Sequence, residues 1–354
     1  MTILIINLII ICLYPFVLSQ LNVRGKVKRK VFLLLAFAHL LCLYIFKDPS
    51  PFPDIEEYYI YFEKLSPDFR NVTNERYMDR VELGWYFYNK VLLIIFHNPY
   101  SMICITAILT LLAYLFVFFR NSKILWLSVF LFFCTNFYPS LFVLRQHLAI
   151  ALCLLTIPYI IRRDFKKFAI LTLIAVSFHY SALMWIVAYF IYSANLNIRN
   201  SLVGIVLFLL LVRSLDFVLS QLGDVLPIIM SYNADAFDGD ASRGGAFKPF
   251  LVDLSVILFS LYAFHGINNI RGVNRLCLMM TALAMLFDVF HILGSSFAEF
   301  SRLNLYYQSC AIILLPNAVY EFKRGLLKVV IVVGICFLYL WQFTAFVNYG
   351  FKFI

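Results

Sequence analysis

A chain of 354 residues that is 63% hydrophobic and only 14% charged, with apolar residues gathered in blocks about twenty long, departs from soluble globular composition. Its net charge of +10 sits in short Lys/Arg segments between those blocks, where it sets membrane orientation; this excludes a nucleic-acid-binding surface and any soluble enzyme class. The eight cysteines (Cys12, Cys42, Cys104, Cys134, Cys153, Cys277, Cys310 and Cys336) lie inside apolar runs with neither CxxC nor Cys/His spacing, so they read as packing residues, not as disulfides or zinc ligands.

In chain order, residues 2–18 form a first membrane helix, followed by the basic loop RGKVKRK at 24–30, which places that loop in the cytoplasm and the N-terminus outside. Residues 31–46 return the chain outward to an acidic outer loop over 47–98. Within it, residues 84–96 are apolar but too short to span and read as an interfacial helix. Residues 101–119 cross inward, 124–138 outward and 141–161 inward to the basic RRDFKK segment.

The run 168–192 decides the topology. Read as one span, it would send every later basic cluster outside; read as two short helices broken near His179, it keeps them in the cytoplasm. A backbone broken at membrane depth must face protein or a water-filled cavity, which places His179 beside a cavity near the outer surface. Residues 201–217 then run outward to a second outer loop at 218–248, and four further segments follow at 249–264, 276–293, 303–320 and 329–346. The expected fold is all-α: one polytopic membrane domain over residues 1–354, with about twelve segments, both termini outside and a broken hairpin near His179.

In this topology the unusual polar residues fall on the outer side. Arg145, followed by Gln146 and His147, interrupts an apolar run, and an ionisable residue in a membrane helix marks a functional site unless it is a snorkelling anchor. Asp54 and Glu82 border the aromatic motifs PDIEEYYIYF and ELGWYFY, which contribute Tyr58 and Trp85. Arg243 lies on the second outer loop, and Glu299 and Arg302 are spaced i,i+3 before an inward helix. Asp288 and His291, also i,i+3, read as a structural pair. DGD at Asp238 to Asp240 is too short a match in a Gly-rich loop to assign a metal, and no metal or cofactor is expected. The absence of GxxxxGK[ST], HExxH and GxSxG disfavours ATP-driven pumping and the common membrane hydrolases.

The order PDIEEYYIYF, ELGW, FYPSLFVLRQHLAIA, RRDFKKFAILTLIAVSFHYSAL and EFSRLNLYY, from about Asp54 to Pro316, resembles the EpsG-like, Wzy-type family of bacterial polysaccharide polymerases. The resemblance implies a GT-C-like enzyme of the bacterial inner membrane that joins undecaprenyl-pyrophosphate-linked oligosaccharides at the outer face into exopolysaccharide, capsule or O-antigen. A flippase and a chain-length regulator would act in the same pathway. It casts Arg145, Gln146, Arg302, Arg243, Tyr58 and Trp85 as substrate-binding residues. Catalysis would fall to Arg145 with His179, Glu82, Asp54 or Glu299 as proton acceptor. A glycan ligase, a polyprenyl-phosphate-sugar GT-C transferase, and a non-enzymatic lipid-linked oligosaccharide flippase or exporter remain open alternatives.

Overall fold

The structure, a computed structural model, describes residues 2–48, 52–67, 81–193, 247–292, 299–346 and 351. Among the described residues the regular structure is helical, without a strand. Five helices are long and apolar enough to cross a membrane: Thr2–Gln20, Tyr100–Asn121, Leu144–Ile161, Gly272–Val289 and Leu326–Thr344. Shorter apolar helices cover Leu83–Phe96, Leu125–Ser140 and Tyr180–Ile191. The chain divides into two compact units: Met1–Ile186 with Leu315–Ile354, and Val187–Leu314. The segments expected at 201–217 and 218–248, with Arg243 and Asp238 to Asp240, lie outside the described residues up to position 246, while Phe247 and Lys248 begin a helix.

In the first unit, α1 (Thr2–Gln20) pairs with α2 (Gly25–Ile45). The basic cluster expected as a loop at 24–30 is instead helical from Gly25, since Lys, Arg and Val extend a helix and only Gly25 interrupts them. Polar groups are satisfied between these two helices. His39 Nδ1 pairs with the Tyr14 hydroxyl at 2.6 Å, and His39 Nε2 with Asn7 Oδ1 at 2.8 Å. The outer loop is likewise more ordered than expected: PDIEEYYIYF forms α3 (Pro53–Lys64), with Pro53 in its first turn, where its fixed φ suits a helix start and a missing N–H costs nothing.

Then follow α4 (Leu83–Phe96), α5 (Tyr100–Asn121) and α6 (Leu125–Phe132). The last widens into a π-helical stretch, Phe133–Phe137, just before Pro139, whose ring and missing N–H do not fit a regular helical ladder. A turn leads into α7 (Leu144–Leu154) and the short α8 (Ile157–Ile161). α9 (Phe165–Phe178) starts on Asp164, whose side chain accepts the Lys167 N–H, and ends where His179 is extended (φ −157°, ψ 120°). A 3₁₀ segment, Tyr180–Trp185, and α10 (Ile186–Ile191) complete the broken run. The break lies where the charge distribution places it. Trp185 Nε1 donates to Thr156 Oγ1 at 2.8 Å and anchors the 3₁₀ segment to the α7–α8 junction.

α2 packs on α5, α5 on α7, and α7 on α9, while α4 lies against α5 and α9. Basic residues gather at one end of this unit. Arg29 donates to the carbonyls of Phe119 and Ser122 at 3.1 and 3.2 Å, closing the C-terminal end of α5 with a cation, as the helix dipole favours. Asn317, on α14 (Ala311–Glu321 in full chain order), accepts the Lys123 N–H at 2.7 Å and donates to Asn121 O at 2.9 Å, so it joins the same end.

The second unit contains α11 (Phe247–Ala263), α12 (Gly272–Ile292) and α13 (Glu299–Gln308), with α12 packed against both neighbours. The expected single segment at 303–320 is two helices, α13 and α14, interrupted at Ser309–Cys310. The chain continues into α15 (Leu326–Phe346), whose outer face leaves Phe337 74% and Leu326 80% exposed; apolar surface of this kind belongs against hydrocarbon.

Candidate functional site

The site is built around Glu82, which precedes α4 at the N-cap position yet makes no side-chain bond to its own helix. Its fully buried carboxylate reaches two other segments. Oε2 accepts from Arg145 Nη1 at 2.7 Å, and Oε1 accepts from His179 Nδ1 at 2.9 Å and from the Tyr180 N–H at 3.4 Å. One carboxylate therefore joins the start of α4, the first turn of α7 and the break after α9. Burial pushes the Glu82 carboxyl up, but the His179 hydrogen bond and the Arg145 charge outweigh that and hold it down at about 2. Glu82 is thus an anion across the physiological range.

The close approach of α4 and α9 depends on Gly84. A Cβ at this position would meet the side chain of Ser177 and stand 2.7 Å from the Ser177 carbonyl oxygen, so only glycine lets Glu82 come within reach of His179. Within ELGW no neighbouring residue announces this role for Gly84.

Aromatic rings line the same place. The Arg145 guanidinium lies 5.7 Å from the Tyr58 ring centre, Tyr58 stands 5.6 Å from Trp85, Trp85 5.4 Å from Tyr88, and Tyr88 5.8 Å from Phe178. Arg145 and His179 keep 23% and 14% of their side-chain surface exposed, so this pair is reachable while the carboxylate behind it is not.

Of the residues singled out from sequence, Glu82, Arg145, His179, Tyr58 and Trp85 are brought together. Asp54 is half-buried on α3, one turn before Tyr58, and bears on it electrostatically. Gln146 is buried in the first turn of α7. Glu299 and Arg302 lie on α13 in the second unit. His147, marked in the sequence only as a neighbour of Arg145, is fully buried with neither ring nitrogen hydrogen-bonded. Among the described residues no group of three or more His, Cys, Asp or Glu side chains could hold a metal ion.

These features define a helical membrane protein with an Arg–Glu–His constellation at the junction of three helical segments. The model of the EpsG family matches residues 30–353, nearly the whole chain, and the protein belongs to that family. No curated protein matches it significantly. No solved structure does either.

Proposed function

We propose that this protein polymerises lipid-linked oligosaccharide repeat units at the outer face of a bacterial cytoplasmic membrane, with undecaprenyl diphosphate as leaving group. The observation that carries the reading is the single buried carboxylate of Glu82 holding Arg145 and His179 together. The gathering of Arg29 and Lys123 at one end of the unit supports the orientation. α6 starts at that end and α7 starts at the other, which supports an outward-facing Arg145.

In this reading Glu82 accepts the proton on His179 Nδ1, which leaves Nε2 as the basic nitrogen. Nε2 takes the proton of the acceptor sugar hydroxyl as its oxygen attacks the donor's anomeric carbon. The bond from that carbon to the diphosphate oxygen breaks, and the lipid diphosphate departs with the bonding pair. Arg145 binds the leaving diphosphate through charge-assisted hydrogen bonds, aided by the positive N-terminal end of α7, where it sits. The neighbouring carboxylate stabilises the imidazolium that forms. Tyr58 and Trp85 offer sugar-stacking faces, and Asp54 binds sugar hydroxyls. Arg302, Arg243, Gln146 and Glu299 are proposed as further substrate contacts.

The test is Arg145→Ala in a strain whose glycan length is read on a gel. The variant should insert normally, lose the ladder of repeats and accumulate single lipid-linked units on the outer side. A normal ladder would overturn the assignment, as would accumulation on the inner side, which marks a flippase.

A further inference from the structure

The basic end of the first unit holds a cluster that membrane orientation does not account for. Lys123, in the turn between α5 and α6, and Lys328, in the first turn of α15, place their ammonium groups 5.9 and 5.5 Å from the centre of one ring, that of Tyr320 near the end of α14. The ring is 54% exposed. Orientation needs Lys and Arg on this side of the membrane, but it does not need them to converge on one side chain from separate helices.

The backbone under Lys123 is held from two sides. Its N–H donates to Asn317 Oδ1 at 2.7 Å, one turn before Tyr320 on α14, and its carbonyl accepts from Arg29 Nη1 at 3.4 Å. The ammonium is left over: among the described residues it has the Tyr320 ring but neither a hydrogen-bond acceptor nor a carboxylate. Lys328 Nζ donates to the carbonyls of Tyr320 and Phe322 at 3.3 and 2.9 Å, which leaves one of its three donors over. Lys323 and Arg324 stand exposed in the turn before α15, and among the described residues Glu321 pairs with none of these cations.

Immediately after this turn, α15 exposes Leu326, Val330, Val333 and Phe337, spaced by four, three and four residues and therefore on one face. The stripe is roughly 16 Å long, about half of a hydrocarbon core about 30 Å thick. A cation pair with donors to spare, beside an apolar strip one leaflet deep, has the chemistry of a phospholipid site.

We propose that Lys123 and Lys328 bind the headgroup phosphate of an anionic phospholipid at the Tyr320 ring, with an acyl chain along the exposed stripe of α15. Two ammonium groups around one ring repel each other, and an anion between them turns that repulsion into attraction. A zwitterionic lipid brings its own cation with its phosphate and gains less. Inorganic phosphate has the charge but nothing for the stripe. Bound there, the lipid ties the α5–α6 turn to α14 and α15. The inference is independent of the polymerase reading, because none of these residues belongs to the Arg145–Glu82–His179 site.

The test uses full-length protein, delipidated in detergent, and follows native mass spectrometry and thermal unfolding with phosphatidylglycerol, with phosphatidylcholine of the same chains, or with inorganic phosphate. Phosphatidylglycerol is expected to bind at least tenfold more tightly than phosphatidylcholine and to raise the unfolding temperature, which inorganic phosphate does not. Lys123→Gln, whose ammonium has no protein acceptor to lose, should unfold like wild type without lipid and bind phosphatidylglycerol at least fivefold more weakly. Adding Lys328→Gln should remove the preference. Lys166→Gln with Lys167→Gln, which removes two exposed lysines elsewhere on the unit, should leave it intact. Equal binding of the two lipids to wild-type protein would overturn the proposal. An equal loss in the Lys166→Gln, Lys167→Gln protein would do so too, since it marks a diffuse positive surface, as would stabilisation by inorganic phosphate matching that by lipid.

Discussion

Glu82 and His179 stand 97 residues apart in the chain, yet Oε1 of one accepts from Nδ1 of the other at 2.9 Å. The same oxygen takes the N–H of Tyr180, so Glu82 caps the 3₁₀ segment after the break instead of its own helix. Removing the imidazole should therefore leave the backbone turn in place while abolishing proton transfer. His179→Ala is expected to insert at the wild-type level and to lower the rate of polymer formation by roughly 10²–10⁴-fold, the range for a general base. Wild-type chain growth by this variant in an in vitro assay would exclude the base role.

Arg145→Lys separates charge from shape. A lysine keeps the positive charge but cannot present a planar fork to Glu82 and a diphosphate at once. The variant should remain stable and lose activity by roughly one to two orders of magnitude, a drop of about 1.4–2.8 kcal/mol in transition-state binding. Full activity would show that only the charge matters.

Glu82 also sets a pH dependence of stability. Its carboxyl is lowered from 4.5 to about 2 in the folded protein, so its contribution is present above pH 4.5 and lost as pH falls toward 2. The shift corresponds to roughly 3 kcal/mol. The stability difference between wild-type protein and Glu82→Gln should be flat from pH 8 to 5 and shrink on further acidification, as read by thermal unfolding in detergent. A difference that grew below pH 4.5 would contradict the Arg145–Glu82–His179 geometry.

Gly84→Ala tests the helix approach. The added methyl group meets Ser177 backbone as well as side chain, so α4 and α9 must separate. Activity should fall at least tenfold with expression retained, and Ser177→Ala should not restore it, because the backbone oxygen stays in place. A fully active Gly84→Ala protein would show that this contact is dispensable.

Much of this site was legible in the sequence because its signals are local. Arg145 interrupts an apolar run, ELGW sets Glu82 beside Gly84 and Trp85, and the distribution of Lys and Arg requires a break close to His179. What stayed hidden depends on partners distant in the chain. Nothing near Glu82 announces that its carboxylate serves Arg145 and His179 instead of its own helix. The basic stretch after Arg24 read as a loop because charge marks a membrane boundary, yet the same residues continue a helix well, and Arg29 closes the end of α5.

The family correspondence starts at residue 30, inside α2 and beyond the whole of α1. His39 belongs to the matched part, but both groups that satisfy its ring, the Tyr14 hydroxyl and the Asn7 amide oxygen, come from α1. A protein trimmed to the matched region would carry an imidazole facing hydrocarbon with neither nitrogen answered. The limit of shared ancestry recognisable in this chain is therefore not a limit at which it can be cut.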